Sequence, residues 1–345
     1  MPGEMNPRER WGLLLIDEIP DRPPVYPLVT AHAAAVYGCD LTTYVTNGKV
    51  MAEAQLAAQR KYGHEGLSVF SEVGIIAEAM GSRYHYRQYD VPILDQPIID
   101  NHNQIEKLQA PDPGSTGRLS VYLDAIDTMY EAAGDILPIF AFIPCSFTTA
   151  AGLRGVEEFL MDTVLAPEAA HAILDISLQA AIRFCDACVL AGALPVLVDP
   201  LASGSVISRR TYQEFALPYQ VKLISYLHRY DLDITLHVCG DTSKMLDLIP
   251  QSGADLFSLD QAELPQAVAE MGERVRLVGN LSPSSLLPSS HQVISDCTHR
   301  ILSQGIPNPK GFVLSTGCEV PIKCQPEKLQ ALIQVGKQAH YDFQW

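Results

Sequence analysis

Short runs of aliphatic, β-branched and aromatic residues recur along the chain. Each is bounded by turn-forming residues and followed by a stretch in which apolar positions return every three or four residues. Eight runs have this character: Val25–Val29, Leu67–Ser71, Ile136–Ile143, Val196–Val198, Ile234–Val238, Leu256–Leu259, Val275–Val278 and Phe312–Ser315. Runs that are apolar throughout predict strands buried on both faces, and strands separated by helices pair in parallel. Eight such units predict an α/β protein of the (β/α)8 TIM-barrel type. The glycine-rich turn that an open doubly wound sheet carries after its first strand is missing after Val29.

The intervening segments carry matching start and stop signals. Ser290 precedes a stretch in which Val293, Ile294, Cys297, Ile301 and Leu302 share one face, and Gly305 is expected to close that helix. Pro326 suits a first helical turn, and Leu329, Leu332 and Ile333 follow at helical spacing. Residues 1–22 predict an N-terminal helical cap beginning near Asn6. The segment Ala110–Gly117 reads as a loop entering a helix at Leu119. Between residues 82 and 99 the alternation of Tyr84, Tyr86, Tyr89, Val91 and Ile93 predicts a β-hairpin inserted after the second strand. One domain over residues 1–345 accounts for all of these elements.

Composition narrows the possibilities. The 345 residues are 47% hydrophobic, and a chain of this length buries roughly three quarters of its unfolded surface. The 24 Lys and Arg against 40 Asp and Glu give a net charge of −16 with no basic cluster, which disfavours nucleic acid and anionic membranes as partners. The longest apolar run, Ile136–Pro144, falls far short of the roughly 20 residues needed to span a bilayer. The apolar stretch Trp11–Ile16 lies between acidic residues and lacks the form of a secretory signal. Eight cysteines without framework spacing read as cytoplasmic thiols or metal ligands.

In a barrel the loops after the strands build the active site, so residues just past each run are the candidates. They are His32, Glu72, Cys145, Asp199, the pair His237 and Cys239, Asp260, Asn280 and Cys318. The segment LHVCG carries the strongest signal, because residues two apart at a strand end project to one side and can grip one ion. Closure of a barrel brings Cys318, after the last run, to the same opening. One His and two Cys suit zinc and leave its fourth tetrahedral position open, the arrangement of a catalytic site. Cys324 is an alternative fourth ligand that would make the metal structural. Cys185 and Cys188 follow helical periodicity and read as core. Glu72 and Asp199 are candidates for orienting a substrate or taking up its proton, against the plainer reading of helix capping or pairing with Arg. His32, Asp260 and Asn280 are candidate substrate contacts, with a backbone hydrogen bond the plainer reading for His32.

The blocks at Asp199–Tyr219, His237–Gln261, Val278–Pro283 and Leu314–Ile333, with SEVGIIAEAMGS at Ser71–Ser82, resemble the uroporphyrinogen decarboxylase superfamily. Within it, the HxC pair with a distant Cys is similar to the zinc motif of cobalamin-dependent methyltransferases of the methylcobamide:coenzyme M type. The resemblance implies that His237, Cys239 and Cys318 bind zinc, and that methyl passes between a corrinoid and a thiol. The decarboxylases themselves carry an Arg-containing block after the first strand, where this chain reads PLVTAHAAAVYG without Arg. Glu72 stands where a family pattern places an aspartate. The corrinoid-binding pattern DxHxxG is incomplete at Asp100, His102 and Ile105, so the corrinoid is expected on a separate partner protein. Two alternatives stay open. One is a cofactor-free tetrapyrrole decarboxylase using Arg154 or Arg22, and the other is a non-catalytic corrinoid-binding protein whose zinc is closed by Cys324. The sequence leaves open the thiol, the methyl donor, the direction of transfer and whether the chain forms a homo-oligomer.

Overall fold

The structure, a computed structural model, describes residues 5–341, so residues 1–4 of the expected cap and 342–345 of the expected domain lie outside the described residues. Its strands are β1 (Leu67–Val69), β2 (Arg83–Arg87), β3 (Asp90–Gln96), β4 (Ile139–Pro144), β5 (Leu194–Val198), β6 (Thr235–His237), β7 (Leu256–Ser258), β8 (Arg276–Leu281) and β9 (Phe312–Thr316). Seven of them form one curled parallel sheet in the order β1-β4-β5-β6-β7-β8-β9, and β2 and β3 form a separate antiparallel hairpin. Helices run between the parallel strands, among them Leu119–Ala133, Pro167–Leu190, Leu217–Leu227, Leu264–Met271 and His291–Gly305, and Pro326–Lys337 follows β9. No helix among the described residues is long and apolar enough to cross a membrane.

The run Val25–Val29 does not become a strand. It contributes a single parallel bridge, Val25 to Leu314, in which Tyr26 N–H donates to the Leu314 carbonyl at 2.8 Å and Leu314 N–H to the Pro24 carbonyl at 2.9 Å. On its other side Glu65 N–H donates to the Val25 carbonyl at 2.9 Å. Pro23, Pro24 and Pro27 crowd this stretch and have no N–H to extend a ladder, which limits the pairing to one residue. The third expected run begins three residues late, at Ile139, because Ile136 is exposed and Pro138 interrupts the ladder.

Helix boundaries follow local chemistry. The Ser290 side chain accepts from Val293 N–H and caps His291–Gly305. Gly305 is that helix's last residue and not a left-handed terminator. A Cβ there would stand 2.5 Å from the Phe312 ring, so the glycine lets helix and strand touch. Helix Pro7–Leu15 starts in a capping box between Asn6 and Glu9, with Pro7 in its first turn.

That helix lies across the N-terminal ends of the strands. Trp11 and Leu14 enter the inner core with Tyr26, Phe140, Phe142, Val196 and Val278, and Trp11 sits 5.0 Å from the Phe140 ring, centre to centre. The Trp11 indole N–H donates to the Glu65 carbonyl at 2.8 Å, and the Arg276 guanidinium donates to the Leu14 carbonyl at 2.8 Å. With this end of the sheet plugged, the open end is the C-terminal one.

A buried charge network fastens the plug. The Glu65 carboxylate accepts from both Arg22 guanidinium nitrogens at 2.9 and 2.8 Å, from Val25 N–H at 2.8 Å and from Arg10. Arg10 also donates from Nε to Asp21 at 2.7 Å. Breaking a buried ion pair on one side leaves an uncompensated charge and typically costs about 3–5 kcal/mol. Glu65→Gln is therefore expected to lower the unfolding free energy by about that amount in urea denaturation, with an unchanged m-value. A loss below about 1 kcal/mol would show that the network does not hold the plug.

Candidate metal centre

The C-terminal ends of β6, β7 and β9 converge on one set of soft donors. His237 closes β6 and pairs in register with Ser258 of β7. Its Nδ1 lies 3.2 Å from the Ser258 carbonyl and 3.0 Å from the Ser258 hydroxyl. With its proton on Nδ1, the ring donates to that carbonyl and aims its Nε2 lone pair at the thiols. His237 Nε2 is 3.0 Å from Cys239 Sγ, and Cys239 Sγ is 3.5 Å from Cys318 Sγ. The three ligand atoms lie within 4.8 Å of one another.

Two glycines let the ligand loops close together. Gly240, directly after Cys239, adopts φ +77°, and a Cβ there would stand 2.7 Å from the hydroxyls of Ser203 and Ser205. Gly317, directly before Cys318, packs against Asp260, where a Cβ would stand 2.9 Å from the carboxylate. Asp260 accepts from Gly240 N–H at 2.7 Å, so it sits between the two loops and braces them. Asn280 in turn donates to the carbonyls of Asp260 and Ala262, both at 3.1 Å.

The three donors act on one another electrostatically. The Cys318 thiol is held well below its ordinary value by the hydrogen bond from Cys239, against the effect of burial, with His237 adding to it. Cys239, on the other side of the same contact, is pushed up. Burial lowers His237, but the neighbouring Cys318 outweighs it and the net shift is upward. Tetrahedral zinc with Zn–S of about 2.3 Å and Zn–N of about 2.0 Å spaces its donors by about 3.5–3.8 Å. One nitrogen and two sulfurs at the observed separations fit that ion with small adjustments.

The donors open onto a cavity of about 430 Å³. Leu28, Phe70, Phe142 and Val198 line its inner side, and Tyr84 with Val91, Pro92, Ile93 and Leu94 of the β2–β3 hairpin covers it. The Tyr84 ring fits because Gly74 and Gly152 have no side chains, since a Cβ would stand 2.1 Å from the ring at Gly74 and 3.1 Å from the hydroxyl at Gly152.

Of the expected acids, Glu72 lines this cavity. Burial pushes its carboxyl up, opposed by Arg118, whose Nη2 and Nη1 lie 2.5 and 3.2 Å from the two oxygens. Arg118 also donates from Nε to Glu78 at 2.7 Å. Asp199 is 0% exposed and lies outside the cavity wall. Its oxygens accept from Thr148 N–H and Oγ1 at 3.0 and 2.7 Å and from Gln220 Nε2 at 2.9 Å, which ties β5 to helix Ser146–Arg154. Burial pushes the Asp199 carboxyl up to about 6, against those hydrogen bonds.

The three expected substrate contacts lie elsewhere. His32 has both ring nitrogens engaged, Nδ1 3.1 Å from the Ile322 carbonyl and Nε2 2.9 Å from the Tyr62 hydroxyl, and it does not line the cavity. Asp260 and Asn280 brace the ligand loops and border a separate depression of about 450 Å³. Cys324 points its sulfur at the Gln325 carbonyl, 3.4 Å away, and is not part of the donor group. Arg154 pairs with Asp162 at 2.9 Å, and Arg22 lies in the plug at the opposite end, so neither lines the cavity. Cys185 and Cys188 are buried in helix Pro167–Leu190.

Glu319 is a cavity-lining residue that sequence reasoning missed, as it missed Arg118 behind Glu72. It lines the cavity next to Cys318, accepts a hydrogen bond from Thr30 and is pushed up to about 7 by burial. Its position directly after a candidate ligand at a strand end was the available signal.

The uroporphyrinogen decarboxylase (URO-D) family model matches residues 7–339. A methylated-thiol–coenzyme M methyltransferase of Methanosarcina mazei is 29% identical over 98% of this chain and 91% of its own length. The methylcobamide:CoM methyltransferase MtbA of Methanosarcina acetivorans is 24% identical over 98% of this chain and 99% of its own. The uroporphyrinogen decarboxylase of Psychromonas ingrahamii is 26% identical over 88% of this chain and 86% of its own. A solved structure of a methyltransferase from Methanosarcina mazei superposes with a TM-score of 0.89 at 25% identity, covering 97% of this chain and 99% of that one.

The Asp199 environment generates a pH prediction. Its folded value of about 6 lies above the ordinary value of about 3.9, so the folded state holds the proton more tightly. The stability this contributes is complete below about pH 4 and is lost as pH rises through 6, on the order of 3 kcal/mol in all. Asp199→Asn removes the titration. The difference in urea unfolding free energy between wild type and this variant is expected to shift in the variant's favour between pH 4.5 and 7, and a pH-independent difference would show that Asp199 ionises at its ordinary value.

Proposed function

The chain belongs to the uroporphyrinogen decarboxylase family, and within it we propose that this protein is a zinc-dependent methyltransferase moving a methyl group between a corrinoid and a thiol. The observation that carries this reading is the group His237, Cys239 and Cys318 facing a cavity whose wall contains no Lys or Arg. A tetrapyrrole decarboxylase would need cations there to hold its substrate's acids. The methyltransferase names of the two Methanosarcina relatives support the same choice.

In this reading His237 Nε2 and the sulfurs of Cys239 and Cys318 hold zinc. The ion supplies the positive charge that keeps a substrate thiol deprotonated near neutral pH. Ser258 fixes the imidazole, and Asp260 holds the two cysteine loops in register. Glu319, in the cavity wall directly after Cys318, is placed to accept the thiol proton. Glu72, clamped by Arg118, shapes the far wall and orients the substrate. In transfer towards sulfur, a sulfur lone pair forms the new S–C bond and the cobalt–carbon electron pair stays on cobalt. The corrinoid arrives on a partner protein that docks over the strand C-termini.

The same reading takes the chain as one (β/α)8 domain. The Val25 bridge stands in for the missing strand, helix Pro7–Leu15 is the cap, and the hairpin is an insertion. All eight cysteines are free, in keeping with a cytoplasmic, reducing compartment.

Purified protein is expected to carry one zinc per chain by metal analysis, to lose it in Cys239→Ala and to keep it in Cys324→Ala. Incubation with methylcobalamin and a panel of small thiols is expected to bleach the methyl–cobalt absorbance, and a chelator is expected to stop this. Absence of zinc-dependent bleaching with every thiol would overturn the reading.

A further inference from the structure

We infer that the substrate held in the cavity is an uncharged, largely apolar thiol, or its methyl thioether, and not an anionic one. The inference deepens the methyl-transfer reading and rests on it. Apart from the Tyr84 phenol, every ionisable side chain in the cavity wall is an acid or one of the three donors: Glu72, Glu319, His237, Cys239 and Cys318. The nearest guanidinium, Arg118, stands behind Glu72 and is not in the wall. Its donors are spent on Glu72, Glu78, the Ser71 hydroxyl and the Val45 carbonyl. Two carboxylates on one guanidinium leave that cluster without positive charge to offer.

A sulfonate or carboxylate on the substrate, away from the donor group, would therefore be withdrawn from water with no Lys or Arg to pair with and with acids for neighbours, an unfavourable transfer. The rest of the wall favours the opposite chemistry. The hairpin segment Val91–Leu94 and the inner Phe70 and Phe142 offer aliphatic and aromatic surface. The Tyr84 hydroxyl has no hydrogen-bond partner among the described residues and is an uncharged donor available to an ether or hydroxyl group. A volume of about 430 Å³ lies within the range of small-molecule sites, roughly 300–1,000 Å³.

Thioether binding tests this without turnover. Calorimetric titration of the purified protein with benzyl methyl sulfide and with 2-(methylthio)ethanesulfonate is expected to show at least about tenfold tighter binding of the neutral compound, or about 1.4 kcal/mol. Leu94→Arg places a cation in the hairpin cover and is expected to narrow or reverse that ratio, with Ile93→Arg as a second variant should the first not fold. Equal or tighter binding of the sulfonate by the wild-type protein, or binding of neither, overturns the inference. The methylcobalamin assay separates the two readings. Transfer to 2-mercaptoethanesulfonate in preference to phenylmethanethiol would sink the substrate class and leave methyl transfer standing. A tenfold binding preference with no transfer to any thiol would do the reverse.

Discussion

The hydrogen bond from Gly240 N–H to the Asp260 carboxylate is the contact on which the site depends. Cys239 and Cys318 come from loops far apart in sequence, and nothing in either loop alone sets their separation. Asp260 stands between them. It captures the backbone directly after one cysteine and fills the space against the glycine directly before the other. Asn280 then fixes the turn that carries Asp260. The 3.5 Å between sulfurs is thus set by backbone approach, and the imidazole is set separately by the Ser258 carbonyl one strand away. Such supporting contacts determine ligand orientation as much as the ligands do.

The two ends of the sheet divide the work. At the N-terminal end, stability comes from buried aromatic surface around Trp11 and from a charge network in which Glu65 satisfies two arginines and a backbone N–H. At the C-terminal end, groups are held in states that stability alone would not select. Two thiols crowd an imidazole, and the Glu319 carboxyl is pushed up. The plug offsets what the open end costs, and it also keeps the sheet's interior filled, so the space near the donors is a bounded cavity and not a channel.

Much of this was legible in the sequence, and the reasons for the exceptions are physical. Seven apolar runs became paired strands because strands covered on both faces need continuous apolar residues. The run at Val25 looked equally apolar, but three prolines removed the donors that pairing requires. The donor triad was legible because its residues sit at strand ends, a position that period and turn signals locate. Asp199 shares that position, yet its neighbours Thr148 and Gln220 enclose it, and no local pattern announces a partner on another helix. His32 is similar, since Tyr62 and the Ile322 carbonyl reach it only in three dimensions. Arg118 and Glu319 were not singled out, because an ion pair across the fold and a carboxyl's exposure are properties of the folded surface.

The hairpin over the cavity belongs to neither end of the sheet. Strands β2 and β3 pair with each other and with nothing in the parallel ladder. The cover is therefore structurally distinct from the centre it shelters, because the residues that roof the chamber come from one excursion of the chain and the metal-gripping side chains from others. A lineage could trade one hairpin for another and acquire new chemical tastes while its reactive core stayed as it was.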